Sequence, residues 1–233
     1  MRTLRQTLGH IGRSLLEPAA TTLFRSDFSY SGAGEDRFVL SWLLTAYGLA
    51  ESEIRYCDIG ANHPRKLSNT FAMYQRGARG ILVEPDPQQA DLLRKYRPRD
   101  TVLNVGAAFD ERRTAKLKRF NSSVFNTFSD AQVDLVLNSS KNWRADQLQD
   151  IQGEVEIELV DINDILSQGD ALHFLSIDAE GVDLPILQAV DFNLFRPKMI
   201  CIEASADFNP ILNPYGYEMI ARTPDNVIYN APR

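Results

Sequence analysis

The 233-residue chain has only two cysteines, Cys57 and Cys201, and both sit inside apolar runs. Two such thiols make no zinc-ligand spacing, and they read as buried free thiols of a reducing cytoplasmic compartment. There is no surplus of positive charge: the net charge is −6. Nucleic acid is therefore excluded as the default partner, because phosphate binding needs a basic face. No run reaches the roughly 18 apolar residues of a membrane-spanning helix. The glycine-rich G-x-G-x-x-G turn of dinucleotide sites is missing, as is the Tyr-x-x-x-Lys pair of a hydride site. Internal repeats and low-complexity segments are absent too. What remains, at 44% hydrophobic and 24% charged residues, suits one large α/β domain or one domain with a short appendage.

The first 25 residues differ from the rest. Arg2, Arg5, Arg13 and Arg25 stand against the single acid Glu17, and Leu4, Leu8, Ile11 and Leu15 recur at helical spacing. Two readings stay open: an amphipathic helix packed on its own domain or on a second copy in a homo-oligomer, or a peripheral membrane contact through a basic helix. The continuous apolar core of a signal peptide is lacking. Residues 1–50 are expected to form an N-terminal helical extension and 51–233 the main domain.

Apolar runs at 54–59, 80–84, 101–106, 172–178 and 199–203 read as buried parallel strands. Helices are expected over 35–47, over 68–76 with Ser68 as cap, from Pro87 to Tyr96, and from Leu184 to Val190. A short strand fits 114–119, and the alternating Val155-Glu-Ile-Glu-Leu-Val suits an edge strand. Residues 217–222 and 226–229 read as a terminal hairpin. The polar stretch 121–153 is long for a connection, and such stretches often serve as lids. The sum is an α/β sheet with helices on both faces.

Two strands end in carboxylates. Ile54-Arg-Tyr-Cys-Asp58 turns directly into Ile59-Gly60-Ala61-Asn62, and Ile81-Leu-Val-Glu84 continues into Pro85-Asp86. A glycine turn after one strand and an acid at the tip of the next is how an open α/β sheet holds an adenosine-type cofactor. Alone, a one-glycine turn equally fits an ordinary strand–helix connection. A nicotinamide-dependent sugar oxidoreductase or epimerase on the same sheet is the first competing reading, and it lacks its glycine-rich turn. The second is a non-catalytic protein that kept the fold, against which the acids at three strand tips argue.

From Ser31 to Glu203 the chain resembles the FkbM-like S-adenosylmethionine-dependent methyltransferases. The resemblance is carried by Ser31-Gly-Ala-Gly-Glu-Asp36, Asp58-Ile-Gly-Ala-Asn-His-Pro64 with Ser68-Asn-Thr70, Glu84-Pro-Asp-Pro87, Asn104-Val-Gly-Ala107 and Leu175-Ser-Ile-Asp-Ala-Glu-Gly181, the last being the most specific. Gly32 departs from the family's usual glutamine. His63-Pro64 departs from its commoner x-Gly, although a subgroup shares it. The resemblance implies a Rossmann-like class I methyltransferase sheet closed by an antiparallel hairpin. It also implies methyl transfer from S-adenosylmethionine to a hydroxyl of a sugar, glycan or polyketide-type small molecule.

On that footing Asp58, Gly60 and Asn62 border the methionine part of the cofactor. Asn69 and Thr70 open a helix whose free backbone donors meet its carboxylate. Glu84, followed by Asp86, takes the ribose hydroxyls; the plain alternative is a solvated strand end. Val105 or Ala107 flanks the adenine, and Phe125 stacks there or serves a core. Asp178 and Glu180 orient or deprotonate the acceptor, unless Asp178 only caps the next helix. His63 is the second candidate base, with a structural role as its alternative. Asp178, Glu180 and Glu203 also offer ligands to a divalent cation such as magnesium. The balance favours no strict metal requirement, since acid–base chemistry needs none.

Overall fold

The computed structural model describes residues 29–139 and 150–232. The expectations for the basic leader, and for residues 140–149 of the long connection, lie outside the described residues. The main sheet has seven strands: β1 (Arg55–Ile59), β2 (Arg79–Val83), β3 (Thr101–Leu103), β7 (Phe174–Ile177), β8 (Met199–Glu203), β9 (Glu218–Arg222) and β10 (Asn226–Asn230), in the order β3-β2-β1-β7-β8-β10-β9. The first five in that order run parallel, and β10 is antiparallel to both neighbours. This is the class I methyltransferase sheet with its closing hairpin.

The apolar runs are continuous because both faces of the sheet are covered. On one face Tyr56, Leu82, Phe174, Met199, Cys201 and Ile228 pack against α1 (Glu35–Ala46) and α2 (Phe71–Gln75), through Val39, Leu40, Leu43 and Met73. On the other, Cys57, Ile59, Ile81, Val83, Ile177 and Ile202 pack against α5 (Ile162–Ser167) and α6 (Asp183–Ala189), through Ile165, Ile186 and Leu187. Strand alternation therefore places Asp58 and Ser176 on the α1/α2 face, a point that decides what Asp58 touches.

α3 spans Pro87–Tyr96, the expected bounds, with proline at its first turn and Asp86 as cap accepting from Gln88 N at 2.8 Å. α2 begins later than expected. Ser68 Oγ accepts from Thr70 N and Phe71 N at 3.4 and 3.1 Å, so the capping serine precedes a tight turn rather than the helix itself. α5 was not anticipated, although Asp161 caps it from Asn163 N at 2.8 Å and Ile162, Ile165 and Leu166 have helical spacing.

The chain leaves the main sheet sooner than the apolar run 101–106 suggests. β4 (Gly106–Ala108), β5 (Thr114–Phe120) and β6 (Ile151–Asp161) form a second sheet in the order β4-β6-β5. β6 is thus a central strand, not an edge. Its alternation reflects one solvated face, which a middle strand of a small sheet also has. The expected long loop is likewise structured: a 3-10 turn covers Ser123–Phe125, α4 covers Asp130–Ser139, and β6 begins at Ile151. Phe125 takes the core alternative, packing on Phe120 beside Val133 and Val136.

The upstream Ser31–Asp36 segment fastens α1 to the sheet. Asp36 accepts from Ser29 Oγ, Ser31 Oγ and Tyr30 N at 2.7, 3.0 and 2.9 Å. Glu35, also buried, accepts from Thr223 Oγ1 at 2.6 Å, across to the closing hairpin.

Candidate functional site

The tips of β1, β2 and β7 meet in one place. Gly60 N and Ala61 N donate to Val83 O at 2.9 and 3.1 Å, and Asp178 N donates to Ile59 O at 2.9 Å. Gly60 has φ +82°, and a β-carbon there would lie 1.8 Å from the Asp178 carbonyl oxygen. Only glycine lets the three tips come this close. Above them opens a cleft of about 840 Å³ of atom-free space, partly open to solvent. Its lining includes Gly60, Asn62, Val83, Glu84, Ala107, Asp178 and Glu180. The 121–128 segment adds Ser123, Val124, Asn126 and Phe128 over the top. This is the crevice beyond the carboxyl ends of the strands, where open α/β sheets bind ligands.

Glu84 is buried, and each carboxylate oxygen takes one backbone donor: Asn62 N on Oε2 at 2.6 Å and Asp86 N on Oε1 at 2.7 Å. Each oxygen keeps a second lone pair, so a vicinal diol still has two acceptors. Burial pushes the Glu84 carboxyl up to about 7, against the pull of those two amides. Asn104 fixes the wall beside it, donating to Glu84 O and Pro85 O at 2.8 and 2.9 Å.

A family model described as the methyltransferase FkbM domain matches residues 58–222, a span that contains this crevice and the strands that build it. The chain belongs to that family. Among solved structures it is similar to the methyltransferase FkbM from Methylobacillus flagellatus, at 18% identity and a TM-score of 0.44 over 96% of this chain. The chain spans 60% of that protein's length. It is also similar to an O-methyltransferase from Bacillus cereus in complex with SAH, at 11% identity and a TM-score of 0.42, covering 100% of this chain and 93% of that one. A third is the 1,6-didemethyltoxoflavin-N1-methyltransferase from Burkholderia thailandensis, at 11% identity and a TM-score of 0.41, covering 99% of this chain and 91% of that one. No curated protein matches the chain.

Within this FkbM-family chain, several residues expected at the ligand face elsewhere. Asp58 is buried behind the glycine turn and accepts from Thr70 Oγ1 at 2.7 Å, while Thr70 Oγ1 accepts from Arg97 Nη1 at 3.0 Å. Asn69 Nδ2 donates to Ser176 Oγ at 3.2 Å, also in the interior. None of Asp58, Asn69 and Thr70 lines the cleft, and Ser68 holds two of the donors at the start of the five-residue α2, Thr70 N and Phe71 N. Asp86 is engaged away from the ligand as well. Besides capping α3 it pairs with Arg119 Nε at 2.8 Å and accepts from Asn126 Nδ2 at 2.9 Å, tying the second sheet to β2. Val105 packs in the core, and Gly106 and Ala107 reach the cleft in its place.

His63 does not line the cleft either. Its Nδ1 accepts from Arg65 N and Lys66 N, both at 3.0 Å, which folds the turn after Pro64. A neutral imidazole with Nδ1 as acceptor carries its proton on Nε2. The basic lone pair of His63 is therefore occupied by the backbone. Burial and the charges of Lys66 and Arg65 lower its pKa further.

The β7 tip is a cluster of acids that, among the described residues, has no basic side chain paired with it. Burial first, then Glu180 and Asp183, raise the Asp178 carboxyl well above the usual carboxylate range. Burial and Glu203 push Glu180 up to about 8. Glu180 has φ +49°, a left-handed conformation that costs energy for a side chain of this size. Asp183, which the sequence analysis passed over, holds that strained turn: its carboxylate accepts from Ala179 N at 2.7 Å and Gly181 N at 3.3 Å, on either side of Glu180. The signal was the Asp-x-Glu-Gly-x-Asp spacing, which puts an acid in the first turn of α6 facing those amides. One carboxylate oxygen each from Asp178, Asp183 and Glu203 lies within 4.8 Å of the others. The group that lies close enough to share protons or a cation thus contains Asp183 in place of the expected Glu180.

Proposed function

We propose that this chain transfers a methyl group from S-adenosylmethionine to a hydroxyl of a small-molecule or glycan acceptor, a sugar or polyketide-type compound. The observation that carries the reading is the pairing of Glu84 and Asp178 across the Gly60 turn. One carboxylate with two free lone pairs stands at the β2 tip, and another stands at the β7 tip of the same cleft. The residues fit the cofactor: Glu84 suits a ribose diol, while Val83, Pro85, Ala107 and Phe128 suit a purine. When bound, S-adenosylmethionine supplies an electrophilic methyl on a sulfonium.

The chain's own residues bind, orient and move a proton. Glu84 fixes the nucleoside end, and the 121–128 segment narrows the opening over the cleft. Asp178 accepts the acceptor hydroxyl proton as the oxygen–carbon bond forms, because an aliphatic alcohol does not ionise near neutral pH. His63 is unsuited to that step, its lone pair being held by two amides. A cationic ligand also favours the ionised forms of Glu84, Asp178 and Glu180, whose carboxyls burial raises.

Calorimetry with S-adenosylhomocysteine tests the reading. Micromolar binding is expected. Glu84→Ala removes two charge-assisted hydrogen bonds, each worth on the order of 1.5–3 kcal/mol, so affinity should fall at least tenfold. An unchanged dissociation constant in a folded Glu84→Ala protein overturns the ribose assignment.

A further inference from the structure

Among the described residues, the cleft is lined by one cation that forms no ion pair. The lining carries three carboxylates, from Glu84, Asp178 and Glu180, and, among the described residues, one basic side chain, Lys66. A ligand that brings one positive and one negative end finds partners for the first at several points, and for the second only here. The segment that presents Lys66 is built with some cost. Leu67 takes left-handed backbone at φ +56°, while Asn62 at φ +46° is a residue type that adopts it readily. Leu67 remains 61% exposed at the cleft mouth, where such strain secures no burial of its side chain.

The turn is held at each step. Asn62 N is anchored on Glu84 at 2.6 Å, Arg65 N and Lys66 N on His63 Nδ1 at 3.0 Å, and Ser68 N on Tyr30 O at 3.0 Å. The position of the Lys66 backbone is thus fixed to the ribose-side carboxylate through one short turn. The usual alternative for an amino-acid carboxylate, the start of the helix after β1, is less open: α2 is five residues long, and Ser68 already holds Thr70 N and Phe71 N.

We propose that Lys66, set in place by His63, receives the carboxylate of the cofactor's methionine part. This rests on the S-adenosylmethionine reading above and deepens it. It gives the His-Pro turn a purpose that general-base catalysis does not. His63 is then a positioning residue, acting through the lysine it orients.

The test compares two ligands that differ by one group: S-adenosylhomocysteine and its decarboxylated analogue, the aminopropyl thioether of adenosine. Wild-type protein should bind the first about tenfold more tightly than the second, in keeping with one charge-assisted contact. Lys66→Met should lose that preference, weakening S-adenosylhomocysteine about tenfold and leaving the analogue unchanged. The difference should shrink as salt is raised, because Lys66 is exposed and the contact is screened. His63→Ala should reduce the preference in the same sense and leave analogue affinity intact. Equal losses for both ligands in Lys66→Met overturn the assignment. So does an unaltered affinity for S-adenosylhomocysteine, including the case where acceptor KM rises instead, which would give Lys66 to an anionic acceptor. Wild-type protein that binds neither compound overturns the cofactor reading itself, and this assignment with it.

Discussion

Two groups of acids, one buried and one half-buried at the cleft, lie on either side of the β1–β7 boundary, and they are built on opposite plans. Behind the glycine turn, Asp58 and Asp100 are gathered around Arg97. The guanidinium pairs with Asp100 at 2.7 Å with both side chains fully buried, donates to Tyr56 OH at 2.9 Å, and reaches Asp58 through Thr70. At the cleft, Asp178, Glu180, Asp183 and Glu203 crowd together with no arginine or lysine among their hydrogen-bond partners in the described residues, where Glu203 Oε2 is buried without a partner. The first group has its counter-ion built in and so holds the fold. The second is left incomplete by the protein, which is the condition for a cationic ligand or a moving proton to complete it.

The largest effect is expected where the balanced group is broken. Arg97→Met keeps much of the side chain's length against the Tyr56, Phe71 and Tyr74 rings but strands Asp58 and Asp100. Removing one partner of a buried ion pair typically costs about 3–5 kcal/mol. Urea unfolding should show a loss of that size; a loss below ~1 kcal/mol would mean that both acids are held protonated and need no counter-ion.

Next comes the unbalanced group. Asp178→Asn should lower kcat at least 100-fold, about 2.7 kcal/mol, with S-adenosylhomocysteine affinity nearly intact. The pH–rate profile sharpens the contrast with His63. Since the Asp178 carboxyl is held above the usual range, activity should rise with pH through a midpoint above that of an ordinary carboxylate. A histidine base with a lowered pKa would level off at or below about 6.5. A fully active Asp178→Asn enzyme removes the base from this position.

Much of the fold was legible because it rests on local signals. Pro87 after an acid fixes the start of α3, and apolar runs closed by Asp58 and Glu84 mark strands that end at a crevice. The family motifs drew attention to Glu84, Asp178 and Glu180, which do share the cleft. What escaped depends on which face a residue takes and on long-range pairing. Asp58 looks identical in sequence whether it points to the ligand or to Arg97, and strand alternation turned it inward. Asp86 is likewise indistinguishable from a ligand acid until Arg119 and Asn126 are seen on it. Arg97 gave no signal at all, since an arginine beside a proline in a charged loop is ordinarily on the surface. Asp183 was signalled only by its spacing after Asp178 and Glu180, because the groups it holds are backbone amides, which every residue has.

The smallest predicted effect is the most direct test of the contrast. Glu203→Gln removes one charge from the unbalanced group while keeping its shape. The Glu203 carboxyl is raised to about 8 by burial, with Asp183 and Asp178 beside it. A folded-state pKa above the unfolded one means that the folded protein holds a proton the unfolded chain releases. That contribution to stability is complete below the ordinary carboxyl pKa and is lost as pH rises through about 8. The glutamine variant has no such loss, so it should match wild type near pH 5 and become relatively more stable towards pH 8.5. Glu203 is partly open to water, which screens the repulsion and holds the gain to below ~1 kcal/mol. Urea titrations at the two pH values, with and without a chelator, measure it. If the variant is instead less stable at pH 8.5, and the chelator abolishes the difference, a bound cation completes this cluster and the two acid groups are built on the same plan after all.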